Sequence, residues 1–428
     1  MPVGRCYPDP SPCEAPPAAA GRVPSPWTPI MAAYVLYVAA SFAIGIAGGE
    51  RQFIGAMAFL AFLAVHAAPR LLPPRWTGLT LAATAAALLA IIALLAGTWA
   101  WGATSPPYAA KYFALLLLVV IADALQLPPL FRAPARRWGL GAVAVVLVLG
   151  ACLGVSEDRI EGSYANPNNF ALAAMSLLFF LDPDRDPPAF KLALHAFVVG
   201  LILLSGTAGA LMGYLVGLGF SWLRSRFARA LLLVAALGAL LGLLWLPQRP
   251  ADLQILGEAK WIGPLWTKVM VVQDHFAEIA ANDPLDFWKL GQEYGGAELT
   301  SAAWRLEHWR TVLRIFQDSG ALAQWFGQGP GACSVLLVKL PHNDYLRLLV
   351  EAGVLGCAAG GAIWIMLYRR AAPSVRWLAI MMATYAITEN NLDNFTVMSL
   401  FVLFFVSAGA GSAPGAPAAV RSEFPPAH

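Results

Sequence analysis

The chain has 428 residues, of which 59% are hydrophobic and only 12% are charged, about half the charged fraction of an ordinary soluble domain. With a mean hydropathy of +0.63, this composition indicates an all-α, polytopic membrane protein. The formal net charge is only +3, and the absence of a basic run argues against nucleic acid as a partner. Five scattered cysteines without CxxC spacing predict neither a disulfide framework nor a metal knuckle.

Stretches of about 20 apolar residues, enough to cross a bilayer, predict twelve membrane helices. We expect them at residues 31–48, 52–68, 77–98, 108–126, 138–155, 167–181, 189–205, 207–223, 229–246, 343–368, 375–389 and 393–411. This gives five regions: a disordered tail at 1–29, helices 1–9 within 30–246, a helical loop at 247–341, helices 10–12 within 342–411 and a disordered tail at 412–428.

The distribution of lysine and arginine predicts the orientation, because cytoplasmic loops retain positive charge. An inside N-terminus places sixteen basic residues in the inner segments and only Arg51, Lys111 and Arg159 in the short outer loops. Both termini are therefore predicted to be cytoplasmic, and residues 247–341 to lie in the periplasm of a Gram-negative cell. Within this loop, apolar and charged residues alternate with helical spacing at Leu265–Ala281 and Ser301–Gln317.

Small residues recur at helical spacing in two of the predicted spans. They are Gly209, Gly213 and Gly217 in the eighth span, and Gly356 and Gly360 in the tenth. Such ladders indicate close helix packing and carry no chemistry by themselves.

A histidine stands at the start of the tenth span, in the stretch Pro341–Gly356. Asn343, Arg347 and Glu351 follow it at i, i+4 and i+8, so they share one stripe of a helix. An ionised stripe is costly in hydrocarbon, and it must therefore face protein or a wet cavity. We expect the Arg347–Glu351 pair to fix helix packing rather than to react.

The predicted topology brings further polar clusters to the same outer face. One is Arg159 with the Asn-Pro turn, where a helix start offers free amides to an anion; another is the turn with Ser205 and Thr207. A third is Arg305 with the glycine-rich GQGPGA segment, suited to a diphosphate. The candidate substrate-binding residues are Arg159, Asn166, Asn168, Asn169, Arg305, Gly329, Gly331 and Asn343. An ordinary capped loop, a packing turn and a glycine hinge are the alternative interpretations.

His342 is the candidate catalytic base, because histidine accepts protons near neutral pH. Asp344, Arg347 and Glu351 are candidate orienting residues, and a weaker polar group runs from Glu389 to Asn394. A helix cap or an interface residue is the alternative for His342. The sequence has no Asp-x-Asp pair at the outer face, no HExxH and no GxxxxGK[ST], which argues against a nucleotide-sugar transferase, a zinc protease and an ATPase.

Arginines and one histidine, without predicted metal ligands or cofactor, fit transfer from a donor whose leaving group is a diphosphate. The stretch PHNDYLRLLVEAGVLG resembles the signature of the O-antigen ligase and polymerase superfamily. Three further blocks are similar to its companion motifs in the expected order: RIEGSYANPNNFA, SGTAGALMGYLVG, and SAAWRLEHW with GQGPGA.

The resemblance implies a metal-independent, inverting glycosyltransferase of the bacterial inner membrane with a periplasmic active site. The implied donor is an undecaprenyl-diphosphate-linked glycan, with His342 as base and Arg159 and Arg305 as diphosphate ligands. The implied acceptor is lipid A core in a ligase, or another lipid-linked glycan in a polymerase. Where the family usually has an arginine, this chain has Ala208, and Lys260, Lys268 and Arg310 are candidate replacements.

Two hypotheses from other classes remain at this stage. A transporter or flippase would account for polar residues within spans, but it predicts two similar halves and midplane charges. A non-catalytic scaffold would account for Ala208.

Overall fold

The computed structural model describes residues 25–46, 52–71, 77–101, 104–153, 155–156, 159–160, 166–223, 301–337 and 340–408. Among them the chain is helical apart from loops and one pair of two-residue strands. The predicted span at 229–246, the helix predicted at Leu265–Ala281 and nearly all of both predicted tails lie outside the described residues.

Eight helices occupy the first eight predicted spans. They are α1 (Trp27–Ile46), α2 (Gln52–Leu71), α3 (Gly78–Ala96), α4 (Pro106–Leu125), α5 (Arg136–Leu153), α6 (Pro167–Ser176), α7 (Pro188–Ser205) and α8 (Ala208–Trp222). Single turns of other helix types extend α3 at Gly97–Trp101 and α6 at Leu177–Phe180. Between α5 and α6, strands β1 (Val155–Ser156) and β2 (Arg159–Ile160) pair in antiparallel fashion.

The second described part of the chain holds six helices. They are α9 (Ser301–Asp318), α10 (Ala321–Phe326), α11 (Ala332–Leu336), α12 (Asp344–Arg370), α13 (Arg376–Tyr385) and α14 (Phe395–Ala408). The helix predicted at Ser301–Gln317 is confirmed as α9, and α12 to α14 occupy the last three predicted spans.

Six of the described helices are long and apolar enough to cross a membrane: α1, α3, α4, α5, α7 and α12. Helices α2, α6, α8 and α14 have shorter apolar stretches, within the range of 10–17 residues. Helix α13 is only 10 residues long. The fold is therefore an all-α, multi-pass membrane protein. The count of twelve spans and the large outer loop stay predictions.

The core of the bundle is built around α14, whose buried positions extend all round the helix. Phe401, Phe404 and Phe405 are at most 1% exposed, and the Phe179 ring stacks on Phe404 with centroids 5.2 Å apart. A helix that is apolar on every face is stable only when neighbours surround it. The short α14 is thus an internal helix, enclosed by α4, α6 and α12.

Helix α12 defines the two ends of the bundle, because it runs from Asp344 to Arg370. At the Arg370 end, Arg370 pairs with Asp123, and the Arg136 Nη1 donates to Asp186 at 2.9 Å. The opposite end, near His342, gathers most of the polar residues that the sequence singled out.

The two glycine ladders differ in their surroundings. A Cβ at Gly213 or Gly217 would lie 2.9 or 2.8 Å from Met381 atoms of α13, so close packing in the eighth span is confirmed. A Cβ at Gly360 would meet only Leu348 of its own helix, at 3.9 Å. A Cβ at Gly356 would overlap only the Cβ of Ala352 on the same helix. Among the described residues, the close packing against another helix that was predicted for the tenth span is therefore not observed at either glycine.

Candidate functional site

His342 lies in the short turn before α12, and three separate elements fix its position. Asn343 caps α12, since its Oδ1 accepts from the amides of Tyr345 (3.1 Å) and Leu346 (3.0 Å). The Trp309 Nε1 of α9 donates to the Pro341 carbonyl at 2.8 Å. The Asp344 amide donates to the carbonyl of Ala386, just after α13, at 2.9 Å.

The backbone of His342 has a φ of +48°, in the left-handed region that residues other than glycine rarely adopt. Asn, Asp and His are the residues found there most often. Strained backbone of this kind persists where surrounding contacts determine it, and it is concentrated at functional sites. The bonds to Pro341, Asn343 and Asp344 supply such contacts.

Glu389 joins the predicted base to the predicted diphosphate ligand. Its Oε2 lies 2.8 Å from the His342 Nδ1, and its Oε1 accepts from the Arg305 Nη2 at 2.8 Å. The Glu389 side chain is 8% exposed, whereas those of His342 and Arg305 are 21% and 24% exposed. The carboxylate is therefore buried behind two side chains that reach the surface of the site.

The contact with Glu389 assigns roles to the two nitrogens of the His342 ring. A carboxylate accepts and never donates when ionised, so the Nδ1 carries the proton of neutral His342. The Nε2 is then the basic nitrogen, and a proton taken up there creates an imidazolium that Glu389 stabilises. This is the arrangement of a general base with an orienting carboxylate.

The predicted Asn-Pro turn and the Ser-Thr turn lie next to each other at this end of the bundle. Asn166 caps α6 by accepting from the Asn168 amide at 2.8 Å, and the Thr207 Oγ1 donates to the Asn168 Oδ1 at 3.2 Å. The Tyr385 hydroxyl donates to the Asn168 carbonyl at 2.8 Å, which ties the start of α6 to the end of α13. Asn169 is half-buried in the first turn of α6.

Gly209 of the predicted packing ladder and Arg159, a predicted substrate-binding residue, lie on either side of this region in the sequence. A Cβ at Gly209 would overlap Thr388, the residue before Glu389, so the start of α8 packs against the turn that carries Glu389. The backbone of Arg159 belongs to β2, which lies beside α6 and α7. Its side chain lies outside what the structure describes, and its role as a diphosphate ligand stays a prediction.

The glycine-rich segment contacts a break in α12 instead of presenting its amides freely. Gly353 interrupts α12 with φ +68° and ψ −172°, which deprives nearby carbonyls of their partners within the helix. The Gln328 amide donates to the Val350 carbonyl at 2.8 Å, and the Gly329 amide donates to the Glu351 carbonyl at 3.1 Å. The segment therefore serves as an external cap for the broken helix.

Gly331 packs on the opposite side of the same segment. A Cβ there would lie 2.5 Å from the Cβ of Ser105, and the Ser105 amide donates to the Pro330 carbonyl at 3.0 Å. Gly329 and Gly331 thus have positive φ values, +104° and +82°, and close neighbours that account for both glycines by packing. A role for them in substrate binding stays a prediction.

Replacement of Gly353 by alanine is expected to lower the thermal stability of the protein. A side chain at φ +68° and ψ −172°, a region open essentially only to glycine, costs about 1–3 kcal/mol, and its Cβ would overlap the Trp325 carbonyl. The measurement is the unfolding temperature of the purified protein in detergent. Gly361→Ala in the same helix is the matched control, because nothing lies within 4 Å of its Cβ; equal unfolding temperatures for the two variants would contradict the expectation.

The Arg347–Glu351 pair forms a second, deeper group of charges. Arg347 is 1% exposed, with its Nε 3.2 Å from the Glu351 Oε1 and its Nη1 2.9 Å from the Asp393 Oδ2. Lys111 pairs with the other oxygen of Asp393 at 3.2 Å, and the Arg347 guanidinium lies over the Tyr108 ring at 4.9 Å. Acidic side chains and aromatic faces therefore surround the Arg347 guanidinium. The stripe of Asn343, Arg347 and Glu351 faces protein, as expected from the high cost of placing charges in hydrocarbon.

Glu389 is a candidate site residue to which the sequence analysis gave too little weight. Glu389 appeared only within the weaker polar group at residues 389–394, because no spacing rule connects it to a histidine 47 positions earlier. The signal available was its place in a predicted outer turn among asparagines and Asp393. Folding brings this turn against the start of α12, and the Asp344 Oδ2 accepts from the Leu392 amide at 3.3 Å.

Residues 193–360 match the family model described as O-antigen ligase. The matched segment includes most of α7, all of α8, α9 with Arg305, the glycine-rich segment, His342 and most of α12. It ends before Glu389. No curated protein matches the chain.

Proposed function

We propose that this chain, whose residues 193–360 match the family model described as O-antigen ligase, transfers a glycan from undecaprenyl diphosphate to an acceptor hydroxyl. Members of the superfamily are glycosyltransferase-like ligases and polymerases. The observation that carries the proposal is the contact of Glu389 with both His342 and Arg305, at 2.8 Å each. Through this contact, a candidate base, His342, and a cation that could bind the leaving group, Arg305, share one site.

In the proposed reaction, the acceptor hydroxyl gives its proton to the Nε2 of His342 as its oxygen attacks the anomeric carbon. The bond from that carbon to the diphosphate oxygen breaks, and its electron pair leaves with undecaprenyl diphosphate. Attack from the face opposite the leaving group inverts the anomeric carbon. Glu389 stabilises the imidazolium that forms. The proposed reaction uses no metal ion.

Arg305 has two functions in this proposal. Its Nη2 holds the Glu389 carboxylate, while its Nε is buried without a hydrogen-bond partner among the described residues. An unsatisfied guanidinium N–H is costly unless a ligand accepts from it, and a phosphate oxygen is a suitable acceptor. Arg159 is the second proposed diphosphate ligand, and Asn166, Asn168 and Asn169 are proposed to line the glycan side.

We further propose lipid A core as the acceptor, at the periplasmic face of a bacterial inner membrane, with both termini in the cytoplasm. A polymerase would use the same donor and base with a lipid-linked glycan as acceptor. In a deletion strain, loss of lipopolysaccharide ladders with accumulation of long lipid-linked chains supports the ligase. Short products with a single repeat unit would instead indicate the polymerase.

The direct test is transfer in vitro from a purified undecaprenyl-diphosphate glycan, with the purified protein and a divalent-metal chelator. Transfer without metal supports the reaction. Strict dependence on added metal would contradict the mechanism, and transport of the lipid-linked glycan across proteoliposomes without transfer would favour the flippase hypothesis.

Glu389→Gln is expected to reduce the rate of transfer by on the order of 10²-fold, because it keeps the shape of the side chain but removes the charge that stabilises the imidazolium. The measurement is kcat in the same assay, with KM for the donor as the second readout. Asp184→Asn, at the opposite end of the bundle and 59% exposed, is the control. An unchanged kcat in Glu389→Gln would remove the carboxylate from the mechanism.

A further inference from the structure

The short helix α10 presents an apolar face although the sequence predicts it within a large aqueous loop. Leu322 is 61% exposed and Trp325 is 54% exposed. The one strongly polar side chain of α10, Gln324, is turned inward: its Nε2 donates to the carbonyls of Phe316 and Gln317 at the end of α9, at 3.3 and 3.1 Å. The outward surface of α10 therefore consists of apolar and aromatic groups.

The height of α10 in the bundle can be measured along α12. Arg370, at the far end of α12, pairs with Asp123, and a charged end of this kind stays at the polar boundary of a bilayer. The part of α12 from Gly353 to Arg370 is roughly 25 Å long, and any tilt reduces the height that it spans. Since the hydrocarbon core is about 30 Å thick, Gly353 lies inside it. A Cβ at Gly353 would overlap the Trp325 carbonyl, which places the end of α10 at the same depth.

Helix α3 gives a second measurement from the same starting point. Its N-cap, Thr77, donates to the Asp123 carboxylate that pairs with Arg370. A Cβ at Gly329 would lie 3.1 Å from the Ala93 carbonyl, and Ala93 is roughly 22 Å along α3 from its start. Two helices that begin at one polar cluster thus assign the residues after α10 to the same level, within the thickness of the core.

The polar backbone after α10 is shielded as this depth requires. Irregular backbone is tolerated within a bilayer only where protein surrounds it, and residues 327–331 are all buried. The Gly327 amide donates to the Ala323 carbonyl at 2.7 Å, and the next two amides cap the break in α12. Before α10, the exposed Asp318 ends α9, so the polar boundary lies between Asp318 and Leu322.

The apolar face of α10 continues a surface that already belongs to a membrane helix. α10 contacts α3, which is long and apolar enough to cross a membrane. At the level of this contact, α3 exposes Ile92 and Leu95, which are 46% and 65% exposed. Leu322 and Trp325 extend this apolar surface, and tryptophan is the residue typical of the boundary between acyl chains and headgroups.

We propose that α10 is inserted into the bilayer at the His342 end of the bundle, and that Leu322 and Trp325 contact the acyl chains of that leaflet. The segment does not cross the membrane, since α9 before it and His342 after it lie at one end of the bundle. Its insertion has a consequence for α12, because the residues that follow α10 cap the helix break at Gly353. The bilayer thereby holds in place the cap of the half-helix that begins beside His342.

The test is a measurement of collision rates by electron paramagnetic resonance on the full-length protein in nanodiscs. A nitroxide on p-acetylphenylalanine, introduced at Leu322 or at Trp325, leaves the native cysteines unchanged. We expect frequent collisions with oxygen, which partitions into the bilayer, and few with a water-soluble nickel chelate. The same label at Leu36 of α1, which is 71% exposed, is the control for lipid, and at Asp184, which is 59% exposed, it is the control for water.

The unmodified protein gives a second readout, which does not depend on how the labelled variants fold. A phosphatidylethanolamine with a diazirine in its acyl chain should label residues 321–326 of the wild-type protein in the same nanodiscs. Nickel collisions at both positions as frequent as at Asp184 would place α10 in water. Few collisions with either reagent would show that protein covers this face, as a second copy of the chain would do. Either result, or photolabelling that spares residues 321–326, would overturn the proposal, and none of these measurements depends on glycan transfer.

Discussion

Replacement of His342 by asparagine is expected to reduce the rate of glycan transfer by about 10²–10⁴-fold, the usual contribution of a positioned general base. Asparagine is the informative substitution because it also adopts positive φ, and His342 has a φ of +48°. Its amide N–H can still donate to Glu389, but it has no basic nitrogen. The variant therefore removes the base while it preserves the turn before α12, and the measurement is kcat in the metal-free transfer assay.

Two further variants separate a chemical role of His342 from a structural one. His342→Gly also accepts positive φ and leaves space for added imidazole, so partial recovery of the rate by imidazole is expected. His66→Asn, at an exposed position where the ring lies 4.4 Å from that of Phe62, should retain full activity. A His342→Asn protein with wild-type kcat would exclude the histidine as base.

The sequence predicts the helical framework well, because apolar length is a local property. Helices are observed at eleven of the twelve expected spans, and the remaining one lies outside the described residues. What apolar length does not report is whether a helix faces lipid or protein. α14 has the composition of a membrane span, but it is enclosed by other helices.

The candidate site could be predicted only in part, for a related reason. Residue chemistry and the charge-based orientation are enough to select His342, Arg305 and the turn at Asn166 as candidates. His342 and Arg305 meet through Glu389, a residue to which the sequence analysis assigned little weight. The pairing depends on the turn after α13 packing against the start of α12, a long-range contact without a periodic signature. The glycines of the tenth span illustrate the same limit, since spacing alone does not show whether another helix packs against Gly356 and Gly360.

The His342 site and the Arg347 group lie on one helix but have different surroundings. Arg305 and His342 are partly exposed and share a buried carboxylate, which suits groups that must reach a substrate. Arg347 is 1% exposed and is enclosed by Glu351, Asp393 and two tyrosine rings. This geometry supports packing, rather than chemistry, as the role of the Arg347–Glu351 pair.

Arg347→Met is expected to destabilise the protein by about 3–5 kcal/mol, because the loss of one partner leaves buried charges without compensation. Glu351 loses the guanidinium with which it pairs at 3.2 Å, whereas Asp393 retains Lys111 at the same distance. The unfolding temperature in detergent should fall by several degrees. The control is Arg132→Met, whose pair with Asp184 is about half exposed and is worth about 0–1 kcal/mol.

The double variant Arg347→Met/Glu351→Gln tests whether uncompensated charge causes the loss. Removing the carboxylate charge together with the guanidinium should restore part of the stability, since a buried pair replaced on both sides is often close to neutral. A double variant no more stable than Arg347→Met would instead implicate lost contacts with Tyr108 and Tyr112. An Arg347→Met protein as stable as Arg132→Met but inactive in transfer would instead assign Arg347 to the chemistry.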